Sequence, residues 1–346
     1  MIALPAWLPR PGTERVPALA LLRAHSYYRT AEFFLPPTDP QRRSTAKKNI
    51  AAFYAGLDAL DVAYERIAIP YGETNHLNAV YYPASTADAG KPLIMFVGGY
   101  DSTLEELYFA LVQAAHERGY AVLTYEGPGQ GEVLREQGLT FIPEWEKPNA
   151  AVLDAFLRDH ERPGKIVLVG MSLGGYLAPR AAAFDTRIDG VVAYDALFDF
   201  GAIGRHNTPK LAFWLRDNGM GPLVKFLVDK KAQHNPGFAW GVANGEWTFG
   251  TSGALETVEA FAPYTLEGVA ERITADVLIF SGEDDHFVPV EQAHQFARAL
   301  TAARSVTLHV YDRASGGGEH CQLGAMTLWQ AHFFDWIASK FPGAGR

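Results

Sequence analysis

The sequence predicts an α/β fold, a mostly parallel central sheet flanked by helices, and three observations carry that expectation. From Pro92 onward, short runs of β-branched and apolar residues alternate with helical patterns, the rhythm of a parallel sheet covered on both faces. One run, Ile166 to Gly170, stops at Gly170-Met171-Ser172-Leu173-Gly174 and gives way to an Ala-rich helical pattern from Tyr176 to Phe184. A single interval, Phe200 to Ile273, breaks the rhythm with no further strand, although strand–helix connections in such folds take roughly 2–6 residues. That interval is expected to be an insertion of short helices covering one end of the sheet.

Composition bounds the function. The 346 residues are 48% hydrophobic, enough for one large core with an insertion. A formal charge of −9 argues against a nucleic-acid or anionic-membrane partner, because both require clustered Lys and Arg; a small, neutral or weakly charged substrate is expected instead. The single cysteine, Cys321, cannot form an internal disulfide, so the cytoplasm is the expected compartment. The start, M-I-A-L-P-A-W-L-P-R-P-G, lacks the basic opening and small-residue cleavage site of a secretion signal. No run reaches membrane-spanning length. Nothing sets the oligomeric state, and a homodimer is allowed.

Taken in order, Pro17 to Leu35 and Gln41 to Leu60 read as helices. Ile50, Phe53, Tyr54, Leu57 and Leu60 recur at helical spacing and form an apolar face that must dock. The basic cluster Arg42, Arg43, Lys47 and Lys48 reads as a solvated face. Strands are expected at Tyr64 to Ile69, Leu77 to Tyr82, Pro92 to Val97, Ala121 to Tyr125, Ile166 to Gly170, Val191 to Tyr194, Val277 to Ser281 and Val306 to Tyr311. Helices are expected up to about Arg118, near Ala150 to Asp159, and from about Leu323. The organisation is then 1–62 as a helical segment contributing to a cap, 63–199 as the first part of the core, 200–273 as the cap insertion and 274–346 as the second part of the core.

The chemistry starts at Ser172. A serine at a tight strand-to-helix turn is lifted clear of the sheet, and only small neighbours let strand and helix pass so closely. A serine hydroxyl is a poor nucleophile until a base takes its proton, and that base needs an acid to fix its tautomer and stabilise its cation. After the strand ending at Ser281 comes Gly282-Glu283-Asp284-Asp285-His286-Phe287-Val288-Pro289. Asp285 is the expected acid, with Glu283 and Asp284 facing solvent or Asp284 capping the next helix. His294, His309 and His332 fall within helix, strand and helix patterns, whereas His320 lies in the glycine-rich S-G-G-G-E-H-C-Q, where the backbone is free to aim an imidazole at Ser172. Cys321 is expected to be a small buried neighbour. The oxyanion donors expected are the N–H of Leu173, at the start of a helix, and the N–H of Tyr100 in Gly98-Gly99-Tyr100. No His or Cys cluster has metal-ligand spacing. The stretch E-G-P-G-Q-G-E lacks the Lys-Ser/Thr ending of a phosphate loop, so neither metal nor cofactor is expected.

These motifs, G-G-Y-D-S-T, Y-E-G-P-G-Q-G-E, G-M-S-L-G-G, G-E-D-D-H-F-V-P and G-E-H-C-Q, resemble those of the α/β-hydrolase superfamily across the whole core. The upstream R-A-H-S-Y-Y-R-T-A-E-F-F-L is similar to the helical N-terminal segment of a narrower group. That group contains 2,6-dihydroxypseudooxynicotine hydrolase, the FrsA-like proteins and the fungal polyketide-shortening hydrolases. The resemblance implies the α/β-hydrolase fold, Ser172, Asp285 and His320 as a triad, and Gly99, Tyr100 and Leu173 around the oxyanion hole. It also implies N-terminal helices packed with the insertion over the site, and members of the group include carbon–carbon bond hydrolases of aryl ketones and β-diketones.

The function expected is therefore hydrolysis of a carbon–carbon bond in an aryl ketone, β-diketone or other polyketide-like substrate. Esterase or lactonase action on an aryl ester, acyl transfer or cyclisation through the same acyl-enzyme, and non-catalytic binding stand as alternatives. Carbon–carbon cleavage expels a carbanion, so a proton donor beside the leaving carbon would help; Asp199 and Tyr100 are the residues weighed for it, with capping of the first cap helix as the alternative role of Asp199. Phe213, Trp214 and Trp240 are the cap aromatics expected to line a pocket, against the plainer role of packing the cap.

Overall fold

The computed structural model describes residues 15–84 and 90–342; the N-terminal dozen residues read above for a targeting signal lie outside them. Two helices, α1 (Arg15–Phe34) and α2 (Pro40–Asp58), precede the sheet. Asp39 caps α2 by accepting from Gln41 N at 2.7 Å, with Pro40 in the first turn, where a missing N–H costs nothing. Phe53, Tyr54 and Leu57 are buried as their spacing requires, in one apolar cluster with Val80, Phe96 and Val169.

The strands are β1 (Glu65–Tyr71), β2 (Asn75–Tyr82), β3 (Leu93–Val97), β4 (Val122–Glu126), β5 (Ile166–Met171), β6 (Gly190–Tyr194), β7 (Asp276–Gly282) and β8 (Ser305–Tyr311). They form one eight-stranded sheet in the order β1-β2-β4-β3-β5-β6-β7-β8. The pairs β1·β2 and β2·β4 are antiparallel and the remaining pairs parallel. Strands β3 to β7 are largely apolar and almost wholly buried because both faces are covered. Met95, Val97 and Leu168 face one apolar cluster, while Ile94, Phe96, Val167, Val169 and Phe280 face the other.

The helices of the core are α3 (residues 104–116, with a π-helical turn at Tyr108–Val112), α4 (Gly131–Gln137), α5 (Glu146–Asp159) and α6 (Gly174–Ala182). Between β6 and β7 lie five more, α7 (Phe200–Asn207), α8 (Lys210–Leu215), α9 (Gly221–His234), α10 (Pro236–Phe249) and α11 (Ala254–Ala260), and α12 (Glu291–Ala299) and α13 (Met326–Lys340) complete the chain. The sequence reading did not assign α4, whose seven residues are too few to show a helical period. The terminal helix begins three residues later than expected, because residues 320–325 wind tightly through left-handed Cys321 and Gln322.

The excursion between β6 and β7 is stapled where it leaves and returns. Phe200 N donates to Tyr264 O at 3.0 Å and Leu266 N to Phe198 O at 2.8 Å. Sheet order reverses around β3, with β4 on one side and β5 on the other, and in such sheets the crevice beyond the carboxyl ends of these strands is the place for a site.

One expectation is corrected here. Arg42 does not belong to a solvated basic face: it is buried and its Nε donates to Glu32 Oε1 at 2.9 Å. Glu32, itself fully buried, also accepts from Arg29 at 3.1 Å and Arg135 at 3.0 Å. A buried carboxylate needs such partners, and they come from three separate helices. Arg43, exposed, pairs with Glu136, and Lys47 and Lys48 face solvent.

Candidate active site

The turn after β5 holds Ser172 at φ +60°, a left-handed conformation that costs a non-glycine residue about 1–3 kcal/mol and persists only where its surroundings enforce it. Two backbone bonds enforce it: Ser172 N donates to Tyr194 O at 2.6 Å, and Gly175 N donates to Ser172 O at 2.7 Å. The loop after β3 presses against the same turn. A Cβ at Gly99 would stand 2.8 Å from Ser172 Cβ and 2.9 Å from Leu173 N, so only glycine fits there.

His320 reaches this serine from the loop after β8. Its Nε2 lies 3.0 Å from Ser172 Oγ and its Nδ1 lies 2.7 Å from Asp285 Oδ2. The other oxygen of Asp285 accepts from Phe287 N at 2.8 Å and Val288 N at 2.9 Å, fixing the carboxylate in the turn before α12. Burial would raise the Asp285 carboxyl, but the hydrogen bond and charge of His320 and then these two amides hold it below its ordinary value. Glu283 and Asp284 are exposed, and Asp284 pairs with Arg313 rather than capping a helix.

A second carboxylate, which the sequence reading missed, shares the imidazole. Asp195 follows β6 directly, is fully buried, and lies 3.2 Å from His320 Nδ1. It also receives Cys321 N and, at 2.9 Å, Gln322 Nε2. Its neighbours in A-Y-D-A-L-F-D-F carry no local motif; the only signal was its position at the end of a strand flanking that of the nucleophile. Burial would lower His320, and the hydrogen bonds of Asp195 and Asp285 reverse that and hold the imidazole well above its usual value.

Gly99 N donates to Ser102 Oγ at 2.8 Å, so Gly99 is spoken for within its own loop. The N–H groups of Tyr100 and Leu173 have no hydrogen-bond partner among the described residues. Gln130 braces the loop by donating to Gly98 O at 2.9 Å and Gly99 O at 3.0 Å, and Arg29 in α1 donates to Asp101 O at 2.8 Å. The N-terminal helices therefore hold the loop that carries Tyr100. Once the imidazole has lost its proton, a serine beside it, with the free amides of Leu173 and Tyr100 close by, is equipped to attack a carbonyl carbon and stabilise the oxygen that becomes negative.

Asp195, His320 and Cys321 bring potential metal-ligating atoms within 4.8 Å of one another. Their chemistry does not suit a cation: burial pushes the Cys321 thiol up to about 11, and Asp195 and His320 already engage each other, Asp285 and Ser172.

The cap residues singled out from the sequence take other positions. Asp199 caps α7, accepting from Ala202 N at 2.7 Å, and faces Arg205. The Tyr100 hydroxyl donates to Gly241 O at 3.1 Å. Trp240 stacks on Phe33 with ring centroids 4.6 Å apart and donates to Phe33 O at 2.9 Å, joining cap to α1, with its other flank 6.3 Å from the Tyr100 ring. Phe213 lies under Arg216, and Trp214 is 56% exposed. A cavity of about 460 Å³ does lie within the cap, but its lining is mostly aliphatic, with Leu211, Leu215, Val224, Val242, Leu255 and Val258. It includes none of these three aromatics and none of Ser172, Asp285 or His320. Gly241, in its wall, is the group that Tyr100 bonds. Among the described residues no helix is long and apolar enough to cross a membrane.

Known proteins resemble this chain in sequence and fold. The model of the alpha/beta hydrolase family matches residues 94–325. Hydrolase acrC of Aspergillus aculeatus is 33% identical, over 93% of this chain and 81% of its own length. The 20-hydroxy-prefusarin hydrolase FUS2 of Gibberella moniliformis is 33% identical, over 93% of this chain and 80% of its own. Among solved structures, 2,6-dihydroxy-pseudo-oxynicotine hydrolase superposes with a TM-score of 0.71 at 19% identity, covering 95% of this chain and 82% of that one, a likeness of fold. The chain belongs to the alpha/beta hydrolase family and is an enzyme of that family.

Proposed function

We propose that Ser172 is the nucleophile, His320 the general base and acid, and Asp285 the acid that orients it, and that the substrate is a small β-diketone or polyketide-like compound cleaved at a carbon–carbon bond. The observation that carries the reading is the unbroken chain from Ser172 Oγ through both nitrogens of His320 to Asp285 Oδ2, at 3.0 and 2.7 Å. Ser172 attacks a carbonyl carbon as His320 takes its proton. The carbonyl oxygen, now negative, is met by the N–H groups of Tyr100 and Leu173. Collapse breaks the bond to the neighbouring carbon, whose electron pair delocalises into the second carbonyl as an enolate, and the proton held by His320 passes to it. Water, activated by the same imidazole, then releases the acid from Ser172.

The choice among carbon–carbon substrates follows from where the other donors are. Asp199 is committed to the end of α7 and the Tyr100 hydroxyl to Gly241 O, so neither is held for a leaving carbanion. A β-diketone leaves as a stabilised enolate and needs no acid beyond His320, whereas a simple aryl ketone would. The same observation favours an ester or lactone as the second reading, since an alkoxide leaves with the His320 proton alone.

The test is turnover of an aryl β-diketone beside the matching aryl ester, with S172A as control. Serine-dependent cleavage of the diketone supports the reading, cleavage of the ester alone replaces it with the second, and diketone cleavage surviving in S172A removes Ser172 from the mechanism.

A further inference from the structure

The site holds one more buried carboxylate than the mechanism above uses. Asp285 and Asp195 approach the same His320 nitrogen, at 2.7 and 3.2 Å, from the ends of two adjacent strands, β7 and β6. Every partner of Asp195 is a donor: Cys321 N and Gln322 Nε2 beside the imidazole N–H. Burial pushes the Asp195 carboxyl up and the hydrogen bond and charge of His320 oppose it; the set of partners is that of an ionised acceptor, since a protonated acid would need an acceptor of its own. The loop it anchors is otherwise unfavourable, because Cys321 and Gln322 both stand at positive φ, +52° and +43°, and the Tyr194 hydroxyl donates to Cys321 O from the same strand end.

We propose that Asp195 is a second positioning carboxylate for His320, able to hold and charge-stabilise the imidazole when Asp285 is removed. The two acids differ in how they are held. Asp285 is fixed by amides of its own turn, so it stays put whatever the histidine does. Asp195 is tied to the histidine's loop, so it follows that loop. Loss of Asp285 leaves the imidazole N–H one carboxylate still within 3.2 Å, and a small tilt of the ring completes the bond.

Several other groups face this pair. Asp101 lies near enough to His320 for their charges to interact. Cys321 stays a neutral thiol, and Tyr194 and Tyr311 beside Asp195 stay neutral phenols, raised first by burial. The carboxylates whose charge bears on His320 are therefore Asp195, Asp285 and Asp101.

The inference rests on Ser172 and His320 being nucleophile and base, and the experiment separates the two ideas. Wild type, S172A, H320A, D285A, D195N, Q322M and the double variant D285A/D195N are treated with a fluorophosphonate, and the rate of phosphonylation is followed by intact mass across a pH series. Phosphonylation surviving in S172A would refute the underlying reading whatever the aspartates do. If the inference holds, D285A keeps a rate within about 10²-fold of wild type, against about 10⁴-fold for a triad deprived of its only acid, and the double variant falls to the rate of H320A. Removing one negative charge from His320 lowers its pKa, so in D195N the acid limb of the profile moves to lower pH by about 1–3 pH units. Q322M, which removes a loop anchor and keeps the charge, slows the reaction with the limb in place. D285A as slow as H320A overturns the proposal, as does a D195N limb that stays where it was or a Q322M limb that moves as far. Should D195N not fold, D285A against H320A decides alone.

Discussion

Two buried ionic clusters hold this molecule together, and they are built as opposites. In one, the Glu32 carboxylate sits among Arg29, Arg42 and Arg135. In the other, the His320 imidazole sits between Asp195 and Asp285. Guanidinium groups stay charged at every physiological pH and hold the Glu32 carboxyl low, so the first cluster keeps its state near neutral pH and can act as a fixed joint between α1, α2 and α4. Imidazole can lose its charge, so in the proposed mechanism the second cluster changes state each time a proton passes to or from Ser172. The molecule places its permanent charges where geometry must not vary and its titratable one where the chemistry requires variation. The two are linked through Arg29, which bonds both Glu32 and the carbonyl of Asp101 in the loop carrying Tyr100.

Substitutions should therefore separate stability from turnover. The largest effect is expected from Ser172→Ala: kcat falls by about 10⁴-fold or more, while the midpoint of urea unfolding stays near wild type. A kcat within tenfold of wild type would break the assignment. Glu32→Ala should do the reverse. Leaving three buried arginines without their carboxylate costs about 3–5 kcal/mol, read by urea unfolding, while kcat of the folded fraction changes far less than in S172A. An unfolding midpoint equal to wild type would mean the cluster is not a joint.

The pH dependence sharpens the contrast. Burial would raise Glu32, but Arg135, Arg29 and Arg42 together hold its carboxyl below the ordinary value. A carboxyl with a depressed folded pKa contributes stability above its unfolded pKa, about 4.3, and loses it as pH falls through the folded value. The gap in stability between wild type and Glu32→Gln should be full at neutral pH and close under acid conditions; a gap constant with pH would contradict this. Activity should rise with pH as well, but over a higher range, because His320 is raised and must be neutral to act as base. The rate should climb from neutral into alkaline pH, and a profile already flat from acidic pH would count against the two-carboxylate arrangement.

Smaller effects belong to the cap. Asp199→Ala removes the cap of α7 and should cost about 1 kcal/mol, seen as a modest fall in the unfolding midpoint. Trp214→Ala, at an exposed position away from the cavity, should leave the ratio of kcat/KM among substrates unchanged within about twofold.

What could be read from the chain divides along the same line. The strands, the turn at Ser172 and the loops of Asp285 and His320 each carry a local signal: an apolar run, a glycine pair, a carboxylate before a proline, a histidine among glycines. The fold and the Ser172, Asp285 and His320 constellation were legible because each residue follows its own strand. Asp195 was not, because its importance depends on a loop more than a hundred residues away folding back over β6. Arg42 was misplaced for the same reason: its partner Glu32 lies on another helix, and a run of basic residues looks alike whether one of them turns inward or not. The aliphatic character of the cap cavity was also hidden, since the aromatic residues of the insertion stand out in the sequence while Trp240 is spent on Phe33 and Trp214 on the surface.

The central claim is that Ser172 carries the acyl group during turnover. Rapid acid quenching of the enzyme during cleavage of the β-diketone, followed by peptide mapping, tests it most directly. The account predicts an acyl adduct on the peptide containing Ser172, absent in S172A, and expects it to accumulate when Asp285 is replaced and release of the acid slows. Cleavage at the wild-type rate with no adduct, or an adduct on any other residue, would contradict it.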